Sequence, residues 1–316
     1  MKRLAVFLAG AAFAAAAAAQ SSFPHRTIRF VSGVTPGAAS DTMARILAEK
    51  LPAVLGQPVI VENRLGAGGL VGARYVAQQA EPDGHTIMMY ASAFTVSTLL
   101  SPGLDPKELT PVATVATIPT VMVTPPGKYK TVADFVAAAK AQAGKLVCAD
   151  AGVGSATHMA FERFRFAAGF EATNVHTKGP GEALTEVISG RAECYFALVF
   201  QAKKMHESGK VAALVVSSPK RSSLMPELPT TVEAGYPSSD YNFWVGALVS
   251  SKTPRDIVER LHKEIDALVQ SPEVSDRIRK LGADPLSMSM AEFQSMIDRE
   301  LVDNAKLIKA AGIKAN

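Results

Sequence analysis

Short apolar segments typical of β-strands alternate with amphipathic segments of helical spacing along most of this sequence. Residues 27–31 form the first candidate strand, and residues 41–55 carry apolar side chains at helical spacing after a turn rich in Gly, Pro and Ser. The order strand, turn, helix, strand recurs in residues 58–90. Such alternation predicts a parallel sheet that is covered by helices on both faces.

The alternation is interrupted near the middle of the chain and then resumes. Residues 112–123 are rich in β-branched side chains without a helical period, and the Thr-Pro-Pro-Gly sequence at 124–127 is typical of a linker. A second β/α series fills residues 132–216, so two similar halves are predicted. Residues 254–311 are mostly amphipathic helix, which we expect to cover a sheet.

The amino terminus has the features of a removable export signal. Lys2 and Arg3 precede an alanine-rich apolar run, and Ala19 before Gln20 has the small-residue form that signal peptidase cleaves. A retained membrane anchor, the alternative, would need about twenty strongly apolar residues, whereas this run is mostly alanine. We therefore expect cleavage near Ala19, and a periplasmic protein without a lipid anchor, because no Cys lies near the cleavage point. The chain that remains is long for one compact core, which favours two domains.

Charge and histidine spacing exclude several classes of partner. The formal net charge is only +4 and the charged residues are interspersed, which argues against nucleic acid or an anionic membrane. No second apolar run is long enough to insert into a membrane. The histidines lack the short spacings of a metal site, so no metal is expected. They are His25, His85, His158, His176, His206 and His262.

Four loops that follow predicted strands can approach a ligand, since ligands of open parallel sheets bind at the carboxyl ends of the strands. They comprise residues 35–41, 66–69, 91–93 and 152–158. In the first loop small residues let an anion reach the backbone, whereas Asp41 is expected mainly to cap the following helix. The glycine-rich turn at 66–69 is not read as a dinucleotide loop, because no acidic residue follows at the required distance, and no cofactor is expected. Ser155 can cap a helix or bind a ligand, and both roles stay open.

Ser155 and His158 could also be the nucleophile and the general base of a serine hydrolase, which uses a serine and a histidine in these roles. The surrounding Gly-Val-Gly-Ser-Ala-Thr-His sequence differs from the Gly-x-Ser-x-Gly of a nucleophile elbow. Residues three apart on a helix also point outward side by side rather than at one substrate. We therefore expect a protein that is not an enzyme, with a secreted serine hydrolase as the weaker alternative.

The two cysteines, Cys148 and Cys194, lie in two predicted strands of the same half. An oxidising compartment permits a disulfide. Parallel neighbouring strands seldom present Cβ atoms suitably for one, however, so two buried free thiols are favoured while pairing stays open.

Several segments of the sequence, in order, resemble the periplasmic solute receptors of tripartite tricarboxylate transporters, which are also called Bug proteins. They are FPHRTIRFVSG with TPGAASDTMAR, GQPVIVENRLGAGGLVGARYVAQQAEPDGHT, GVGSATHMAFERF, TKGPGEALTEVISGRAE, ELPTTVEAGYP and KTPRDIVERLHKEI. The resemblance spans residues 23–313, which is essentially the whole chain after the export signal.

This resemblance implies a type II periplasmic binding-protein fold, in which two doubly wound α/β domains are joined by crossing strands and close on a small organic carboxylate. The first domain would comprise residues 20–124 and 236–316, and the second residues 125–235. The expected protein is a monomer that delivers its ligand to the membrane subunits of a tripartite tricarboxylate-type transporter. A periplasmic sensor subunit for a two-component system stays open as an alternative.

In the family, the loop after the first strand and the loop matching residues 154–158 hold a ligand carboxylate from opposite domains through N–H groups, hydroxyls and ordered water. Together with the neighbouring loops and matching motifs, this resemblance predicts a set of ligand-binding residues. They are Val34, Thr35, Gly37, Ala38, Ala39, Ser40, Asp41, Ala67, Gly68, Ser92, Ala93, Gly154, Ser155, Thr157, Lys178 and Ala197.

Among the departures from the family pattern, which include Gly37-Ala38 in place of a Gly-Gly pair, three bear on the ligand. Val34 stands where an aromatic residue is common, Thr177 replaces a Tyr before Lys178, and Ala197 replaces an acidic residue. Less aromatic bulk and one missing acid lead to the hypothesis that the ligand is longer or bulkier than the family's smallest amino acids and dicarboxylates, with aromatic acids among the candidates.

Overall fold

The computed structural model describes residues 23–142 and 144–314. The predicted export signal, with its cleavage point near Ala19, lies outside these residues. None of the helices within them combines the length and the apolar character needed to cross a membrane.

Strands and helices alternate as the sequence predicts. The first part of the chain holds β1 (Ile28–Ser32), α1 (Ala39–Leu55), β2 (Val59–Asn63), α2 (Leu70–Arg74), β3 (Thr86–Ala91), α3 (Ala93–Leu100) and β4 (Leu109–Thr117). The middle holds β5 (Thr120–Thr124), α4 (Val132–Ala141), β6 (Val147–Asp150), α5 (Ala156–Ala168), β7 (Thr173–His176), α6 (Pro180–Ile188), β8 (Cys194–Leu198), α7 (Val199–Glu207) and β9 (Ala212–Val216). The last part holds β10 (Trp244–Ser250), α8 (Arg255–Gln270), α9 (Pro272–Lys280), β11 (Asp284–Pro285) and α10 (Met290–Ala311). The short helices α3 and α7 were not expected.

These elements form two sheets. The six-stranded sheet has the order β11-β4-β10-β3-β1-β2, and the five-stranded sheet has the order β7-β6-β8-β5-β9. The strands β2, β1 and β3 are parallel, as are β7, β6 and β8, but β10 and β5 run antiparallel to their neighbours. The prediction of a parallel sheet is therefore wrong at β10, at β5 and at the two-residue edge strand β11. β10 and β5 enter from the other sheet, so no helical crossover within a sheet fixes their direction.

The chain passes between the two sheets twice. Ile118 and Pro119 separate β4 from β5, and residues 217–243 connect β9 to β10. β5 pairs with β8 and β9, so it belongs to the five-stranded sheet although it precedes residue 125. The predicted domain limits at residues 124 and 236 stay a prediction, while the first passage between the sheets lies at Ile118 and Pro119.

Cys148 and Cys194 form a disulfide. They are direct register partners on the neighbouring parallel strands β6 and β8, with Cα atoms 4.7 Å apart. This separation lies inside the range of about 4.4–6.8 Å that disulfides span. The preference for two free thiols is therefore wrong, because the register places the two residues opposite each other.

Glu300 of α10 is a carboxylic acid in the interior of the protein. Both of its carboxyl oxygens lie 3.0 Å from the indole nitrogen of Trp244, which donates its N–H to them. The hydroxyl of Thr95 in α3 donates to the same group at 3.4 Å. Burial raises the pKa of Glu300 to about 7, although the hydrogen bond from Trp244 acts in the opposite direction.

Glu300→Gln is expected to stabilise the protein at pH 8 and to change its stability little at pH 4. The folded-state pKa of about 7 exceeds the ordinary value of 4.5, so the wild type loses stability as pH rises between these values. The loss is at most about 3 kcal/mol. Urea unfolding at several pH values, followed by circular dichroism, measures it. The exposed Glu81→Gln is the control; equal pH dependence in wild type and Glu300→Gln would contradict the prediction.

Reducing the disulfide is expected to lower the free energy of unfolding by about 4 kcal/mol, because it closes a long loop in the unfolded chain. The two cysteines are separated by 46 residues. Urea unfolding with and without dithiothreitol tests this, and a variant with Cys148→Ala and Cys194→Ala should not respond to the reductant. An unchanged wild-type transition after complete reduction would refute the expectation.

Candidate functional site

A cleft with a volume of about 610 Å³ is formed by loops from both sheets. The six-stranded sheet and its helices contribute Gly33, Val34, Thr35, Leu65, Gly66, Ala67, Gly68, Gly69, Ala93, Val96, Ser97, Leu100 and Ser101. The five-stranded sheet contributes Ala151, Gly152, Val153, Gly154 and Ser155. These loops follow the carboxyl ends of parallel strands, where open α/β sheets bind ligands.

The described residues that line the cleft include no charged side chain. Its polar side chains are the hydroxyls of Thr35, Ser97, Ser101 and Ser155. An anion in this cleft must therefore be held by hydroxyls, by backbone N–H groups and by helix amino-termini rather than by an ion pair.

Two backbone segments of the cleft approach each other so closely that both need glycine. A Cβ atom added to Gly33 would lie 2.4 Å from the Cα atom of Gly69, and one added to Gly69 would lie 2.8 Å from the hydroxyl of Tyr90. That hydroxyl donates to the carbonyl of Gly68 at 2.6 Å. Ala67 adopts a φ of +47°, which a non-glycine residue keeps only where its surroundings impose it. The turn at 66–69 is therefore fixed by backbone contact and by Tyr90.

The carboxylate of Asp41 is fully buried beneath the first loop. Its oxygens accept hydrogen bonds from the N–H of Gly37 at 2.8 Å, from Arg45 at 2.9 Å and from Asn63 at 2.8 Å. Burial alone would raise the pKa of Asp41, but these hydrogen bonds lower it below its usual value. Asp41 thus holds the loop in place, and the N–H of Gly37 already has an acceptor.

The loop between β6 and α5 is held by its own polar groups. Asp150 accepts the N–H of Gly152 at 2.7 Å, and the hydroxyl of Thr157 accepts the N–H of Ala151 at 3.0 Å. Thr157 is buried behind the cleft wall. The wall formed by residues 151–155 is therefore preorganised before any ligand binds.

Ser155 caps α5 through its hydroxyl, which accepts the backbone N–H of His158 at 3.2 Å. The imidazole of His158 does not pair with this hydroxyl, because its Nδ1 accepts the N–H of Gly154 at 3.0 Å. Burial lowers the pKa of His158. Within the described chain no imidazole stands ready to deprotonate Ser155, so the geometry does not support a serine hydrolase.

The predicted binding residues fall into two groups. Those that line the cleft are Val34, Thr35, Ala67, Gly68, Ala93, Gly154 and Ser155. Those outside its lining are Gly37, Ala38, Ala39, Ser40, Asp41, Ser92, Thr157, Lys178 and Ala197. Among the second group, Ser92 is buried against the hydroxyl of Tyr241 at 2.9 Å, Ala197 lies in the core, and Lys178 is exposed. The role of each residue in binding stays a prediction.

The sequence did not reveal the apolar wall of the cleft. Leu65, Val96, Leu100 and Val153 line it. Val96 and Leu100 are four residues apart on α3 and therefore share a helix face. This spacing could have indicated a helix beside the third loop, but α3 is only 8 residues long.

The sequence model described as the tripartite tricarboxylate transporter family receptor matches residues 43–313. The chain belongs to this receptor family. Three solved structures are similar to this receptor along nearly its whole length. The periplasmic binding protein BugD has a TM-score of 0.74 at 29% identity and covers 93% of this chain and 100% of its own.

The other two structures contain carboxylates. Rpa4515 of R. palustris with adipate has a TM-score of 0.77 at 29% identity, covering 93% of this receptor and 99% of that chain. MatC from Rhodopseudomonas palustris with bound malate has a TM-score of 0.73 at 27% identity, and the match covers 90% of this chain and 100% of MatC. These similarities confirm the predicted family and the two-domain type II periplasmic binding-protein fold.

Gly33→Ala is expected to lower the free energy of unfolding of this receptor by about 1–3 kcal/mol, because the new methyl group meets the backbone of Gly69, which cannot rotate away. Gly181→Ala in α6 is the matched control, since nothing lies within 4 Å of a Cβ atom there. It should be neutral or slightly stabilising. Urea unfolding of both variants tests this prediction. An equally small change in the free energy of unfolding of both variants would show that the close contact between Gly33 and Gly69 does not exclude a side chain.

Proposed function

We propose that this protein is a periplasmic solute-binding receptor that captures a small organic carboxylate between its two domains and delivers it to a tripartite tricarboxylate-type transporter. The observation that carries the proposal is a cleft whose opposite walls come from different sheets, residues 33–35 and 65–69 on one side and residues 151–155 on the other. Closure of two domains around such a cleft encloses a ligand. Family membership supports a transporter rather than a sensor kinase as the recipient.

Neutral donors suit one carboxylate group well. Thr35 lies in one wall of the cleft and Ser155 in the other, and Ser155 caps the amino-terminus of α5. The amino-terminus of a helix carries a positive partial charge that favours an anion. A carboxylate bound here needs no lysine or arginine, and binding without a fixed counter-ion permits release to a transporter.

The apolar wall of the cleft is suited to contact the part of the ligand beyond its carboxylate group. Leu65, Val96 and Leu100 offer a surface for methylene groups or an aromatic ring. Adipate, which Rpa4515 contains, is longer than malate, which MatC contains, and the two proteins are almost equally similar to this chain. We therefore keep the hypothesis of a longer or bulkier carboxylate on the strength of the apolar wall.

Calorimetric titration of the purified protein should show one ligand per chain, with tighter binding of adipate or terephthalate than of malate. Ser155→Ala should weaken binding about tenfold, through the loss of one hydrogen bond to a charged group. Ser271→Ala is the matched control, because Ser271 likewise caps a helix, α9, and lies outside the cleft lining. Both variants should lose comparable stability, and only Ser155→Ala should lose affinity.

Tight binding restricted to four- or five-carbon acids would overturn the ligand-length hypothesis but not the receptor. Failure of every carboxylate in the panel to bind, or hydrolysis of ester substrates that Ser155→Ala abolishes, would overturn the receptor itself. Native mass spectrometry of protein purified without refolding identifies any ligand that it retains.

A further inference from the structure

Three side chains from separate elements of the second half meet behind the cleft wall formed by residues 151–155. Asp150 ends β6, His176 ends β7 as its direct register partner, and His158 lies in α5. Each side chain offers one atom that could bind a metal ion, and these three atoms all lie within 4.8 Å of one another. His176 Nδ1 lies 2.8 Å from a carboxylate oxygen of Asp150, and the two imidazole rings are edge to face with centroids 4.9 Å apart.

We propose that Asp150, His158 and His176 bind a divalent transition-metal ion of the Zn²⁺ type. Two imidazoles and one carboxylate are ligands for Zn²⁺, Ni²⁺ or Cu²⁺ rather than for Mg²⁺ or Ca²⁺. With bonds of about 2.0–2.1 Å, ligand atoms around a tetrahedral ion lie about 3.3 Å apart. Shifts of at most about 1.5 Å therefore bring the three groups onto one ion.

The surroundings supply access to the site and further polar groups around it. His158 and His176 line a cavity of about 460 Å³ together with Glu162 and Asn174. The amide nitrogen and oxygen of Asn174 are both buried without a hydrogen-bond partner among the described residues. Such an amide beside a polar cavity can hydrogen-bond to water there, including water that is bound to an ion. The side chain of His176 is 40% exposed, so an ion can reach it.

A second group of the same composition, His25, Asp83 and His85, is less suited to a metal ion. Nε2 of His85 accepts the backbone N–H of His25 at 3.2 Å, and its Nδ1 faces Asp83 at 3.2 Å. One nitrogen of this ring thus accepts a backbone N–H, and the ring is fully buried, whereas the side chain of His176 is partly exposed. In His176 only Nδ1 is occupied, and in the described part of the chain no polar group contacts its Nε2.

Metal binding has a consequence for the cleft, which rests on the proposed carboxylate-binding function. His158 Nδ1 accepts the N–H of Gly154 in the cleft wall. A metal ion on Nδ1 would displace that N–H, and an ion on Nε2 would place the ring proton on Nδ1, facing the same N–H. Either way the bond is lost, so the metal ion and the carboxylate should change each other's affinity by the same factor.

Titration of chelator-treated full-length mature protein with Zn²⁺ alone tests the site without any carboxylate. We expect one ion per chain, and Co²⁺ in its place should give the visible absorption of a tetrahedral complex. His176→Ala should lower the Zn²⁺ affinity more than about 100-fold, since loss of a second-shell partner alone costs 10–100-fold. His25→Ala, in the other group, is the matched control and should bind as wild type does. Circular dichroism confirms that each variant is folded.

Unaltered Zn²⁺ affinity in folded His176→Ala, or no Zn²⁺ binding by the wild type, would overturn the site. Loss of Zn²⁺ binding in His25→Ala but not in His176→Ala would assign the ion to the group of His25, Asp83 and His85. That result would equally overturn the proposed site. If saturating Zn²⁺ leaves the affinity for a carboxylate such as adipate unchanged, the coupling through Gly154 is wrong. Because the Zn²⁺ titration uses no carboxylate, failure of the proposed function and failure of the metal site are distinguishable.

Discussion

The architecture depends on two strands that each enter a sheet from the other one. β10 lies between β3 and β4, and β5 lies between β8 and β9, so both occupy interior positions. Every residue of the two strands is buried. Because both connections between the sheets lead into these buried strands, each strand anchors one half of the protein to the other. The cleft lies between these halves, at the carboxyl ends of the parallel strands.

The cleft loops are rigid for reasons that differ on the two sides. On one side, Gly33 and Gly69 are in backbone contact, and the buried carboxylate of Asp41 holds the N–H of Gly37. On the other side, Asp150 and Thr157 fix residues 151–155 by accepting backbone N–H groups. Most polar groups of the loops are therefore committed within the protein, which leaves few donors for a ligand. If the cleft binds a carboxylate as proposed, its specificity rests on a small number of hydroxyls and N–H groups and on the shape of the apolar wall.

The loops of the site could be predicted from the sequence, because a strand followed by small residues and a helix is a local pattern. Thr35, Gly68, Ala93 and Ser155 lie where that pattern places them. Features that depend on the pairing of distant strands could not be predicted. The register that joins Cys148 to Cys194 also brings Asp150 beside His176, residues whose spacing in the chain resembles no metal motif. Similarly, Asp41 has the residue type of a ligand contact, and only its burial assigns it to the support of the loop.

Polar contacts also cross from one half to the other, and they connect both walls of the cleft. Arg163 of α5 donates to the side chain of Asn304 in α10 at 3.1 Å, and Asn304 donates to the hydroxyl of Thr95 in α3 at 2.8 Å. Thr95 in turn donates to Glu300. α5 begins at the cleft, and α3 carries the apolar wall, so these contacts connect the two walls behind the cleft. Because Asn304 is fully buried, loss of the Arg163 contact would leave its amide oxygen without this partner, which is costly.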